Sequence, residues 1–236
     1  MGAVFAEVRT WAGVTGDNER MHLFAALVPP QHVLDEIEAV VARAEEPVVV
    51  AGSKGGRWFG RRRETAEEPA GPQLNRIRSP RMLVPITKFG HLPVTDATRL
   101  ADSLRDQAQH WPSPRLHFSG GAALEWPGDQ SVWVKVAGGL DDLEAFNAVA
   151  KGVSLVSQGL QLFVDRRAFR PMMEIGSVNR LTTPEYLERL VAELDAFEGT
   201  PWWQTSLSLL IPAEGAQNRA AHKSFREIPL GPAVPH

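Results

Sequence analysis

Two stretches of this chain repeat one plan: an apolar strand, a glycine, then a helix that starts behind a threonine. Met82-Leu83-Val84-Pro85-Ile86-Thr87-Lys88-Phe89-Gly90-His91-Leu92-Pro93 reads as a strand ending in a turn. Thr95 is then placed to cap a helix whose apolar stripe is Ala97, Leu100, Ala101, Leu104 and Ala108. Residues 170–178 read as the second strand, with Gly176 near its end. Thr183-Pro184 supplies a cap followed by proline at the first helical position, and Leu187, Leu190, Val191, Leu194 and Phe197 line that helix. The repeat is faint, and alone it implies only that one strand-to-helix unit recurs.

The remaining segments fit around that unit. Met21-His22-Leu23-Phe24-Ala25-Ala26-Leu27-Val28 is a buried strand stopped by Pro29-Pro30, and Val33, Ile37, Val40 and Val41 mark the helix that follows. Leu116 to Ser119 leads into a Gly-Gly bend, and Ser131 to Val136 is β-branched and aromatic, hence a strand. Leu143, Phe146, Ala150 and Val153 mark a further helix, and strands close the chain at Thr205 to Ile211 and near Phe225 to Pro229. Residues 1–20 read as an extension with an added strand at Ala3 to Trp11. Residues 47–80 read as one long loop rich in glycine and charge. Strands and helices thus interleave along the chain.

Composition narrows function more by exclusion than by indication. The net charge of −3 neither favours nor excludes nucleic acid, so any anion-binding surface must be local. The chain has no cysteine, which removes disulfides, thiolate chemistry and cysteine-ligated zinc and fits a reducing, cytoplasmic setting. Its first residues lack the apolar run of a signal peptide, and no stretch approaches the roughly 20 apolar residues of a membrane span. No His-x-x-x-His or His-Glu cluster occurs, so neither a metal nor a cofactor is expected. A Gly-rich phosphate loop ending in Gly-Lys-Ser or Gly-Lys-Thr is also missing.

The most specific signal is Phe169-Arg170-Pro171-Met172-Met173-Glu174-Ile175. It resembles the second signature of the 2H phosphoesterase superfamily, the RNA 2',3'-cyclic phosphodiesterases once called 2'-5' RNA ligases. That signature runs Phe-Arg-Pro-His-x-Thr-apolar. The opening Leu-Phe-Ala-Ala-Leu-Val-Pro-Pro into a helix is similar to the start of the same family. The resemblance covers residues 21–231 and implies an α+β, bilobed fold: two antiparallel-sheet lobes with outer helices around a central cleft, within a domain spanning 21–236. Each lobe would supply one His-x-Thr strand.

The resemblance also implies what the cleft has lost. In the family, two histidines act as general base and general acid on the phosphodiester, and two threonines donate hydrogen bonds to its phosphoryl oxygens. Residues two apart on a strand share a face, so each histidine and threonine reach the cleft together. Here Met172 and Glu174 hold the second pair of positions. For the first pair, aligning on Gly90 selects Leu83 and Pro85, whereas aligning on Thr87 selects Pro85 and Thr87. Neither register contains a histidine. Pro85 further implies an edge strand or a bulge, because proline cannot donate to a ladder. Where the family often has an arginine this chain has Ser177, with Arg180 three residues beyond. The expectation is a degenerate, inactive relative that holds RNA or a nucleotide at Thr87, Glu174 and Arg180.

Two alternatives stand beside it. One is an enzyme with rearranged groups, in which Thr87, His91 and Glu174 converge on one point. The other is a protein-interaction module whose cleft Met172 and Met173 make apolar. In the 47–80 loop, Lys54, Arg57, Trp58 and Arg61 combine cations with an aromatic in the manner of single-stranded RNA binders, although a solvated insertion is the plainer reading. Trp202-Trp203 reads as structural, and His91 and His117 as a turn histidine and a strand histidine.

Overall fold

The computed structural model describes residues 20–46, 71–79, 81–126, 129–165, 169–213 and 222–233. The added strand expected at Ala3 to Trp11 and the loop residues Lys54, Arg57, Trp58 and Arg61 lie outside the described residues.

The buried run before the double proline forms β1 (Arg20–Leu27), and Pro29-Pro30 hands the chain to α1 (Gln31–Glu45). The helix buries Val33, Leu34, Ile37, Val40, Val41 and Ala44, the stripe that its periodicity predicts. β2 (Leu74–Arg76) follows, then β3 (Val84–Pro93) and α2 (Val94–Ala108). β4 (Arg115–Trp126) and β5 (Asp129–Gly138) pair antiparallel and lead to α3 (Leu140–Gly159). β6 (Met172–Val178), α4 (Pro184–Asp195), β7 (Trp202–Trp203), β8 (Ser206–Pro212) and β9 (His222–Pro229) complete the order.

These strands form two antiparallel sheets, one ordered β3-β1-β8-β9 and the other β2-β6-β5-β4-β7. The first sheet joins strands from both ends of the described chain. α2 packs beside α3 and against β1, β3 and β9, whereas α1 lies beside α4, which packs on β4. Each sheet therefore has helices packed on it, and the two sheets approach one another where β3 meets β6. The fold is α+β and bilobed, as the sequence implies.

Four local expectations change. Thr95 does not cap α2: β3 continues through His91 and Leu92, and Pro93 is the N-cap, with no side-chain cap. The turn at Gly90 is a left-handed residue (φ 71°) inside the strand. The Gly120-Gly121 bend is likewise a register shift within the single strand β4, with Gly120 at φ 87°. The long loop 47–80 contains β2, which pairs with β6 through Leu74 opposite Val178 and Arg76 opposite Gly176. A three-residue strand with one apolar residue carries too little periodicity to read locally. Thr183 does cap α4, accepting from the Tyr186 amide at 3.2 Å behind Pro184. Trp202 is buried against Phe118 with ring centres 5.0 Å apart, and Trp203 is 39% exposed on the edge strand.

Candidate functional site

The strands that carry the two motifs meet. Cα atoms of β3 and β6 approach within 8 Å of one another, although the strands belong to different sheets. β3 is the edge strand of its sheet, the position that Pro85 demands.

Two bulges decide which β3 side chains face the cleft. Opposite β1, Ala26 pairs with Pro85 but Ala25 pairs with Thr87, leaving Ile86 as an extra residue. Phe24 pairs with Lys88 and Leu23 with Gly90, leaving Phe89 as a second. Directly paired residues share a face, and Leu23, Ala25 and Leu27 belong to the helix-covered core. The open face of β3 is therefore Pro85, Lys88 and His91, a period of three where an unbulged strand shows two. Thr87 falls on the core side. It is 2% exposed, and its hydroxyl donates to the Asp165 carbonyl at 3.1 Å, while the Asp165 amide donates to the Lys88 carbonyl at 3.0 Å. Thr87 thus ties the segment after α3 to the free edge of β3. It does not line the cleft, and it does not converge with His91 and Glu174.

β6 carries a matching irregularity. Trp133 pairs with Glu174 and Val132 with Gly176, so Ile175 is the extra residue. Met173 and Ile175 are buried in the core, whereas Met172, Glu174 and Ser177 share the other face with Lys135, Trp133 and Ser131 of β5. The Ser131 hydroxyl donates to Glu174 Oε1 at 3.1 Å. Arg170, just ahead of β6, lays its guanidinium 5.4 Å from the centre of the Trp133 ring, a cation–π contact. Trp133 is 8% exposed, and its Nε1 is shielded and has no hydrogen-bond partner among the described residues.

The facing wall is basic and aromatic. His22 and His91 are directly opposed on β1 and β3, with ring centres 5.1 Å apart. Burial, His91 and Lys88 together lower the His22 pKa, since each penalises a second positive charge there. Phe24 shares this face and meets the His222 ring edge-on at 6.3 Å.

Of the other expected residues, Leu83 lies half-buried just before β3, and Met172 and Glu174 are half-buried on β6. Arg180 is exposed in the turn after β6, at the opposite end of the strand from Met172. Among the described residues no group of three or more His, Cys, Asp or Glu could hold a metal ion, and no helix is long and apolar enough to cross a membrane. Sequence reasoning missed Trp133, Arg170 and Ser131 as site residues. Alternation in Ser131-Val132-Trp133-Val134-Lys135 does separate Ser131, Trp133 and Lys135 from the valines, but which face meets the cleft follows only from pairing with β6.

Compared by sequence, the chain matches no family model and no curated protein. Compared by structure, it has the bilobed fold of 2H phosphoesterases. E. coli LigT solved with NADP+ is 14% identical, with 91% of this chain and 99% of that one covered and a TM-score of 0.56. A protein described as a phosphoesterase is 15% identical over 90% and 99% of the two chains, with a TM-score of 0.57. TT0787 of Thermus thermophilus is 12% identical over 91% and 100%, with a TM-score of 0.56. Identities this low establish the fold alone.

Proposed function

We propose that this chain binds a nucleotide or an RNA end in its cleft and does not hydrolyse it. The observation that carries this reading is the set of residues at the motif positions. Leu83 and Pro85 precede and open β3, and Met172 and Glu174 open β6. None of Leu83, Pro85 and Met172 has a proton to exchange near neutral pH. Thr87, the one hydroxyl that the alternative register supplies, is engaged with Asp165. Loss of a general acid and a general base removes about 10²–10⁴-fold each. Glu174 adds a carboxylate where the resemblance implies a phosphate-binding hydroxyl, and it repels a phosphodiester at short range.

Binding is supported from two sides. The opposing wall offers Lys88, His22 and His91 beside the aromatic Phe24, groups suited to an anion joined to a ring. Solved structures of E. coli LigT hold 3'-AMP, NADP+, ATP and phosphate on the same fold. The test is hydrolysis of a 2',3'-cyclic mononucleotide by the pure protein, beside an active 2H phosphoesterase, together with equilibrium binding of nucleoside monophosphates. Binding without turnover is expected. Turnover within about tenfold of the control, which acid–base loss forbids, overturns the reading.

A further inference from the structure

Lys88 and His91 are three residues apart, so an unbulged strand would send them to opposite faces. The extra residue at Phe89, beside Gly90 at φ 71°, brings both to the face that carries His22. His91 is directly opposed to His22, with ring centres 5.1 Å apart and planes inclined by 33°. Lys88 sits two residues along β1, opposite Phe24, close enough to act on His22 electrostatically. Solvent reaches all three: Lys88 and His91 are exposed and His22 is half-buried. The charges that act on His22 are both positive, and among the described residues no carboxylate offsets them. Arg20, at the start of β1, is a further cation, and β8 has no titratable residue from Ser206 to Pro212. On β9, His222 meets the Phe24 ring, Lys223 and Arg226 are cationic, and Glu227 accepts from the Ser206 hydroxyl. On α2, Asp96 is paired with Arg99 at 3.3 Å, and Asp165 meets Lys88 through its backbone amide.

From this cluster, and resting on the nucleotide-binding reading above, we infer that His22, His91 and Lys88 select a terminal phosphomonoester over a phosphodiester. A monoester carries a charge of about −1.5 to −2 at pH 7 and three acceptor oxygens, one for each of the two imidazoles and the ammonium. A diester carries a single negative charge and two free oxygens, so it leaves one cation unmatched. Hydrogen bonds with both partners charged are the stronger kind, and a bound dianion relieves the repulsion among the three cations. The anion also favours the charged form of His22, so binding takes up a proton. The phosphate then lies on β1 and β3 rather than on β6, where the Glu174 carboxylate repels it.

Titration calorimetry of the full chain with adenosine 5'-monophosphate and with its phosphate methyl ester tests this directly, because the pair differs by one charge and one free oxygen. At pH 6.5 the monoester is expected to bind about tenfold or more tightly, the ratio that one charge-assisted hydrogen bond supplies. The pH dependence has a definite sign. Free His22 holds its proton less tightly than an ordinary histidine, and the bound anion reverses that. Affinity for the monoester should therefore fall about tenfold from pH 6.5 to pH 8.5, as expected for a one-unit rise of the imidazole pKa on binding. Lys88→Gln, at an exposed position, should weaken the monoester about tenfold, weaken the methyl ester less, and leave the melting temperature unchanged. Equal affinities for the two ligands in the parent protein overturn the inference and leave nucleotide binding standing. A preference for the monoester that neither falls with pH nor weakens in Lys88→Gln also overturns it, because other cations then hold the phosphate. No binding of either ligand overturns both readings.

Discussion

Thr87→Val separates the two roles open to the only hydroxyl at the first motif. Valine has nearly the shape of threonine, so the change removes one hydroxyl from a site 2% exposed. The lost interaction is the 3.1 Å hydrogen bond to the Asp165 carbonyl. A neutral hydrogen bond of this kind is worth about 1 kcal/mol net. For a chain of 236 residues that loss lowers the melting temperature by about 2–4 °C. Because the bulges at Ile86 and Phe89 point Thr87 into the core, nucleotide affinity should stay within twofold of the parent protein. Differential scanning calorimetry and a nucleotide titration on the same sample read both quantities. An unchanged melting temperature with binding weakened about tenfold would place the hydroxyl in the cleft and refute the bulge argument.

Gly176→Ala tests the β6 irregularity. A Cβ there would meet Leu74 Cδ2 at 2.7 Å and the Asn75 carbonyl oxygen at 2.8 Å, and a backbone oxygen cannot rotate away. A loss of about 1–3 kcal/mol in urea unfolding is expected, and a loss below about 0.5 kcal/mol, a value set well under the usual range of overpacking, would contradict the contact. Tyr186 supplies a pH prediction. Burial, then the Glu45 carboxylate, pushes its pKa up to about 12 from 10, against the opposing pull of Arg76 and Arg189. The folded state therefore holds this proton more tightly than the unfolded chain. Its contribution is complete below pH 10 and is lost as pH rises toward 12. Tyr186→Phe should flatten that alkaline decline and, having no hydroxyl to leave unpaired, should not destabilise the protein at pH 7. An identical alkaline decline in the variant would show that another group causes it.

The amphipathic helices were legible because each buries one stripe set by local spacing: Ala97, Leu100, Ala101, Leu104 and Ala108 are all buried in α2. Thr183-Pro184 was legible for the same reason, since a cap acts within one turn. Thr95 failed because a cap residue must be the last non-helical one, and β3 runs into α2 without a break, which puts Thr95 inside the helix.

The chain's own residues settled that no histidine stands between Arg81 and Gly90 or between Phe169 and Gly176, and that strands and helices alternate along the chain. Those are properties of residue identity and of spacing along one segment. Which face each motif residue takes was left to tertiary structure. Thr87 and Ser177 owe their directions to the bulges at Ile86 and Ile175, and Trp133 meets the cleft only through the pairing of β5 with β6. A bulge is a mismatch between two strands. The partners here, β1 with β3 and β5 with β6, are separated by a whole helix, so no window along the sequence contains both sides of the register.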